Sequence, residues 1–281
     1  MIRFFAAALA FVLPSAALAG EGVSPWARDG ATALRLIDGG AAEAGGRLAA
    51  IEIALDPGWK TYWRQPGASG VPPRFDFSGS TNVAEAHVAY PAPERAEGED
   101  GVTNVYHGEV TLPVVVRPKD PSRPVWLKLT ADYGVCEQVC VPVRAEAALD
   151  LAPDGAPAAV EAEEARAAAA AAPKPLALGS TAALAVSSVR RAGAGKDGGA
   201  ALEISVAAPA GPDRPLLFAE TGDGDFAPAP EPVGEPKDGR ATFRMVFDEP
   251  ELPKSGLRFT LAVGGQAIET PVALDAIAPA P

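Results

Sequence analysis

The sequence predicts an all-β protein made of two antiparallel β-sandwiches joined by an alanine-rich, helical linker. Three observations carry this prediction. Short runs of alternating apolar and polar residues recur along the chain, separated by Gly, Pro and Asp clusters. Gly and Pro contribute 29 residues each without a collagen-like period, a density of punctuation that favours strands and turns over long helices. Composition then breaks abruptly at LAPDGAPAAVEAEEARAAAAAAPKP, residues 151–175, dividing the β pattern into two parts.

The chain starts MIRFFAAALAFVLPSAALAGEG: one early cation, Arg3, an apolar stretch from Phe4 to Leu13, and a small-residue site ending Ala17-Leu18-Ala19. This is the three-part pattern of a secretory signal peptide, read over residues 1–19. The apolar stretch is shorter than the ~20 residues a membrane span needs, and Pro14 before an A-x-A site fits cleavage. The expected product is a soluble exported protein, without stable membrane insertion, in a compartment where cysteine pairs can be oxidised. A formal charge of −12 argues against nucleic acid or an anionic membrane surface as a partner.

Residues 20–150 hold the first predicted sandwich, with strands at Ala31–Asp38, Arg47–Leu55, Ala84–Tyr90, Glu109–Val116, Val125–Tyr133 and Val143–Asp150. In Arg47–Leu55 the apolar positions drift out of phase, which calls for a bulge or burial on both faces. Val125, Leu127, Leu129 and Ala131 keep strict alternation. In the linker, Val160–Ala172 has strong helix propensity but no large apolar side chain after Val160. With no stripe to bury, that helix reads as a spacer outside any core. Residues 176–275 resume the β pattern at Ala182–Val189, Ala201–Val206, Pro215–Phe218, Ala241–Phe247, Leu257–Val263 and Ile268–Leu274. Phe243, Met245 and Phe247 share one face, as do Leu257, Phe259 and Leu261. Residues 276–281 form a tail.

The chain has two cysteines, Cys136 and Cys140, which excludes a four-cysteine metal site and any multi-bridge framework. In one extended strand their Cα atoms would stand about 13 Å apart. A disulfide tolerates less than about 7 Å. If the pair bridges, Glu137-Gln138-Val139 must reverse the chain, and the flanking β runs point to a hairpin with both sulfurs at its tip. As a staple such a bridge is modest: closing so short a loop restricts the unfolded chain by about 2 kcal/mol. Spacing alone leaves a redox-active pair, a structural staple and a metal site open. For the last, the further soft ligands left after removal of residues 1–19 are His87 and His107, distant in sequence, and Met245.

Around these residues the chain resembles the N-terminal periplasmic domain of the thiol:disulfide interchange protein DsbD family, in particular the branch that includes the suppressor of copper sensitivity protein ScsB. The segments carrying the resemblance are SPWARDG at 24–30, GWKTYWRQPGASGVPPRFDFSGSTNV at 58–83, YPAPER at 90–95, VYHGEVTLPVVV at 105–116 and DYGVCEQVCVPV at 132–143. The resemblance implies an immunoglobulin-like sandwich in the periplasm, an electron relay between a membrane reductant and periplasmic oxidoreductases, and no cofactor or metal. It implies that Cys136 and Cys140 cycle between dithiol and disulfide, with Cys140 attacking and Cys136 resolving. It also implies a shielding loop, matched here to Asn104, Val105, Tyr106, His107 and Gly108, with Tyr106 as the lid aromatic. The implied partners are a membrane-embedded thiol reductant acting in trans and periplasmic thioredoxin-like or disulfide isomerase-like proteins, with this chain as a monomer. The rival reading is a non-catalytic accessory protein for copper tolerance or cytochrome c maturation, holding a structural disulfide.

Exchange needs a thiolate, and beside this pair Asp132 and Glu137 would disfavour one, with Arg144 the nearest cation in sequence. The thiols are therefore expected to react poorly until a partner covers them. Trp59, Tyr62 and Trp63 are expected to close the core in preference to forming an exposed binding platform, Lys60 and Arg64 to lie in solvent unless Arg64 holds an acidic loop, and Tyr133 to lie beside the sulfurs as packing or donor. Thr221–Asp225, TGDGD, lacks the ligand series of an EF-hand and reads as an acidic turn.

Overall fold

The computed structural model describes residues 22–98, 101–153, 160–195 and 198–280. The expected signal peptide, residues 1–19, lies outside them.

The first part runs β1 (Ala27–Asp29), β2 (Thr32–Ala41), β3 (Arg47–Leu55), β4 (Lys60–Gly67), β5 (Arg74–Asp76), β6 (Val83–Val88), β7 (Glu94–Gly98), β8 (Gly101–His107), β9 (Glu109–Pro118), β10 (Val125–Cys136) and β11 (Cys140–Leu151). One sheet has the order β1-β2-β3-β9-β6; the other has the order β11-β10-β4-β8-β7, with β5 pairing β10. Between them lies a core that includes Leu34, Leu36, Ile51 and Ile53 from the first sheet and Trp63, Leu127, Leu129 and Tyr133 from the second. The drift in β3 has its cause in burial on both faces: Leu48, Ala49, Ala50 and Ile51 are all buried in succession.

What covers the second face of β3 corrects the reading of the linker. Helix α1 (Val160–Ala171) is not a free spacer; it lies on the outer face of the first sheet, where Ala165 is 0% exposed and packs with Ile37 and Ala50. Small side chains permit this approach. A Cβ added to Gly39 on β2 would come within 3.2 Å of Ala165 Cβ. Arg166 donates to the Gly39 carbonyl at 2.9 Å, and Arg35 reaches Glu161 at 3.7 Å. A face built from alanine carries no stripe of large apolar side chains, so nothing in the residue pattern distinguishes it from the solvent side of the helix.

The second part runs β12 (Lys174–Pro175), β13 (Ala185–Ala194), β14 (Ala200–Ala207), β15 (Leu216–Thr221), β16 (Glu231–Pro232), β17 (Arg240–Val246), β18 (Leu257–Val263) and β19 (Gln266–Val272). Its sheets have the orders β12-β19-β18-β15 and β13-β14-β17-β16. They enclose a separate core around Ile204, Leu217, Phe243, Met245, Phe259 and Leu261. The all-β prediction of two sandwiches therefore holds. No helix among the described residues is long and apolar enough to cross a membrane.

The two sandwiches meet along β4. Phe218 of β15 is buried in the core of the first sandwich, its ring centroid 5.7 Å from that of Trp63. Arg64 is not in solvent: it forks onto Glu220 of β15 at 2.9–3.2 Å and reaches Glu269 of β19 at 2.5 Å. Arg95 donates to the Leu217 and Pro230 carbonyls at 2.9 and 3.0 Å.

Candidate functional site

Strands β10 and β11 pair along their whole length, from Val125 opposite Leu151 to Cys136 opposite Cys140. Glu137-Gln138-Val139 makes the reversal, bringing the two cysteine Cα atoms to 4.1 Å in a Cys136–Cys140 disulfide. The hairpin expected from the spacing is thus present, with both sulfurs at its tip.

Register places the neighbours. Cys136 stands opposite Lys60 of β4, and Lys60 opposite His107 of β8. Directly opposed residues project to the same side of a sheet, as do residues two apart on a strand. Lys60, Tyr62, Val105, His107 and the disulfide therefore share the face of this sheet turned away from the main core. There Tyr62, Val105 and Cys136 form a small apolar cluster of their own.

The two sulfurs differ in access. Cys136 is 2% exposed, whereas Cys140 is exposed and is flanked by Val139 at 72% and Val141 at 43%. A thiolate arriving from outside meets Cys140 first. The Tyr62 hydroxyl lies 2.9 Å from Cys136 Sγ and 3.3 Å from Cys140 Sγ. Burial pushes the Tyr62 phenol above its ordinary value of 10.0, so it remains a proton donor throughout the neutral range. A hydroxyl donating to a sulfur favours the thiolate form of that sulfur. The arrangement gives one sulfur open to attack and a second, buried sulfur with a donor ready for the charge it takes when it leaves.

Tyr62 is the contact that sequence reasoning missed, by grouping it with the core aromatics. Trp63 does lie in the core, and Trp59 packs at its border. The covering segment also differs from expectation. Asn104–His107 is no loop; it belongs to β8, paired with β4. Tyr106 is buried in the main core with its hydroxyl donating to the Pro91 carbonyl at 2.7 Å. Asn104 ties β8 to the Gln65 carbonyl at 2.9 Å, and His107 faces Glu94 at 3.0 Å in the open. Tyr133 also points into the core, 3.1 Å from the Thr32 hydroxyl. What lies against Tyr62 is the loop after β4. A Cβ on Gly70 would fall 2.4 Å from Tyr62 Cε1, and one on Gly134 2.9 Å from Val71 Cβ, so backbone approaches the ring where only glycine fits. The run Gly67-Ala68-Ser69-Gly70 was the available signal.

Charges near the pair are arranged differently from their order in sequence. Asp132 opposes Arg144 across the hairpin, 3.2 Å away on an exposed surface. Lys60 is the cation in register with Cys136. Glu137, at the turn, lies over Gly58, where an added Cβ would be 3.2 Å from its Oε1. Among the described residues no three His, Cys, Asp or Glu side chains stand together as a metal set, and His87 and His107 belong to different sheets.

With this geometry in hand, comparison with known proteins is specific for one segment. Residues 35–152 match the family model described as "Thiol:disulfide interchange protein DsbD, N-terminal". That match covers most of the first sandwich, which is thereby similar to a DsbD N-terminal domain. The fold of the larger part of the chain is that of the N-terminal periplasmic domain of ScsB from Proteus mirabilis, at 20% identity and a TM-score of 0.64, covering 89% of this chain and 97% of that one. The reduced DsbD N-terminal domain of Neisseria meningitidis aligns at 19% identity over 48% of this chain and 88% of its own, with a TM-score of 0.25. No curated protein matches. The match spans both cysteines, Tyr62 and the Gly70 loop, and ends one residue beyond β11. The second sandwich lies outside it.

Proposed function

We propose that this protein is a thiol–disulfide exchange protein of the periplasm that relays electrons between a membrane-embedded reductant and soluble thioredoxin-like or disulfide isomerase-like proteins, through the Cys136/Cys140 pair. The observation that carries the reading is the asymmetry of the disulfide: Cys140 exposed on an apolar hairpin tip, Cys136 buried against the Tyr62 hydroxyl. The DsbD-type domain and the exported character of the N-terminal sequence support it.

In the reductive half, a partner thiolate attacks Cys140 Sγ. The Cys136–Cys140 bond breaks, its electron pair leaves with Cys136 as a thiolate that accepts a hydrogen bond from Tyr62, and a mixed disulfide forms at Cys140. The partner's second thiolate then attacks its own sulfur in that bond, releasing Cys140 as a thiolate; two protons complete the dithiol. In the oxidative half, the Cys140 thiolate attacks an acceptor's disulfide, and Cys136 resolves the mixed disulfide. Val71, Val139 and Val141 supply the apolar surface that excludes water from the sulfurs once a partner is seated.

The test is capture. Cys136→Ala removes this chain's resolving sulfur, so a purified thioredoxin-like protein whose own second active-site cysteine is replaced by alanine, activated as a mixed disulfide with a small aromatic thiol, should remain attached through Cys140 of the reduced variant, while Cys140→Ala should capture none. A midpoint potential in the thioredoxin range, about −270 mV, is expected. A value well below about −300 mV with no captured partner would assign the disulfide a purely structural role.

A further inference from the structure

We propose that the second sandwich is a working part of the redox site: its Glu220 acts, through Arg64, as the positioning residue that holds Tyr62 against the sulfurs. This inference rests on the thiol–disulfide reading above and assigns the second sandwich a task within it.

The argument starts from a gap in the backbone ladder. Strand β4 pairs with β10 only at Lys60 and Thr61, and its pairing with β8 runs from Lys60 to Tyr62 before losing register until Gly67. Tyr62 is the last residue the regular ladder holds. Beyond it the course of the strand is set by side chains. Asn104 holds the Gln65 carbonyl from within the first sandwich. The second sandwich supplies two other restraints: Phe218 against Trp63, and the carboxylates of Glu220 and Glu269 on Arg64. Arg64 lies two residues from Tyr62, about 7 Å along an extended strand.

The restraint at Arg64 is specific in direction. The Glu220 side chain is 1% exposed and takes both Nε and Nη2 of Arg64, a planar fork that fixes angle as well as distance. Arg258 of β18 holds the same carboxylate from the other side at 2.9 Å, and also approaches Glu269 at 3.6 Å. Two arginines and two glutamates thus alternate. Pairs taken this far out of water add little net stability, because desolvation offsets most of the attraction. What they supply is a single geometry, and its position beside Tyr62 gives that geometry a use.

The experiment compares Glu220→Gln, Tyr62→Phe and the double variant in the full chain, reading the rate of disulfide reduction by dithiothreitol, the Cys136 thiol pKa in the reduced protein, and thermal unfolding. Glu220→Gln keeps an oxygen acceptor but loses the charged fork; it should slow reduction about threefold and raise the Cys136 pKa. In the Tyr62→Phe background it should have no further effect on either. Arg64→Lys, which keeps the charge and loses the fork, should repeat the slowing if Glu220→Gln folds poorly. Unchanged rate and pKa in both Glu220→Gln and Arg64→Lys, or effects that add fully to Tyr62→Phe, would overturn the inference. Those outcomes leave partner capture at Cys140 intact, whereas failure of capture removes the exchange reading itself.

Discussion

Tyr62→Phe is the most direct test of the chemistry assigned to the disulfide. The substitution keeps the ring against the Gly70 loop and deletes only the hydroxyl that lies 2.9 Å from Cys136 Sγ and 3.3 Å from Cys140 Sγ. A hydrogen bond to a charged group contributes about 1.5–3 kcal/mol. For Cys136 the full amount applies to the free thiolate, which at 2% exposure has little water to replace the lost donor. One pKa unit corresponds to 1.36 kcal/mol, so the Cys136 thiol should rise by about one to two units. In the transition state for attack on Cys140 the leaving sulfur carries part of that charge. If it carries about half, reduction slows about three- to tenfold.

The assay is reduction by a small dithiol under pseudo-first-order conditions at several pH values, alongside titration of the reduced protein. A small reductant avoids the confounding effect of a partner interface. The wild-type and variant rates should differ by a constant factor while the attacking dithiol, common to both, sets the pH dependence. A variant that reduces at the wild-type rate, with an unchanged Cys136 pKa and an intact disulfide, would refute the role given to the hydroxyl.

Other substitutions probe the supports of the site. Gly70→Ala, at φ +122° with its new Cβ 2.4 Å from Tyr62 Cε1, should destabilise the protein by more than about 1 kcal/mol in denaturant unfolding and slow dithiol reduction with it. Ala165→Leu forces a branched side chain between α1 and β2, at a cost of about 1–3 kcal/mol seen as a lower unfolding midpoint, with the reduction rate unchanged. Asp38 is buried, and burial raises its pKa above 3.8 despite the Gly40 N–H and the nearby Arg47 and Arg166. The unfolded chain therefore ionises first, and the stability this group contributes is full below pH 3.8 and lost as pH rises through its folded value. Asp38→Asn, which keeps an oxygen for the Gly40 N–H, should flatten that part of the stability–pH curve; an unaltered slope would contradict the assignment. Reduction of the disulfide should lower stability by no more than about 2 kcal/mol and leave the far-ultraviolet spectrum unchanged.

The strands legible in the sequence are those buried on one or both faces for packing alone. Leu257–Val263 and Arg47–Leu55 match their observed bounds because each apolar side chain there answers only to a core. Strand β4 was not legible because its successive side chains face different partners. Lys60 and Tyr62 share the face of the disulfide, Trp63 packs in the core and Arg64 bonds to the second sandwich, so no single period runs through KTYWRQPG. Strand β8 was hidden in the same way by Asn104 and His107, polar residues whose partners lie in Gln65 and Glu94. The cysteine hairpin was legible from spacing, since four residues cannot bring two sulfurs together without a reversal. The donor to those sulfurs comes from a residue distant in sequence, and only the sheet register brings it to them.

The same register explains why a bridge so weak as a staple suits a site of exchange. Strands β10 and β11 hold each other along their length whether or not the sulfurs are joined, and Thr61 donates to the Gly134 carbonyl at 2.9 Å just before the tip. Opening the bond releases only the three-residue turn. Reduction is therefore expected to cost little stability and to leave both strands paired. On this reading the change on reduction is confined to the two sulfurs, and the Tyr62 hydroxyl lies within 3.3 Å of both. A bridge closing a long loop between distant strands would couple every turnover to the stability of the domain; placed at a hairpin tip, the pair can cycle on a scaffold that stays assembled.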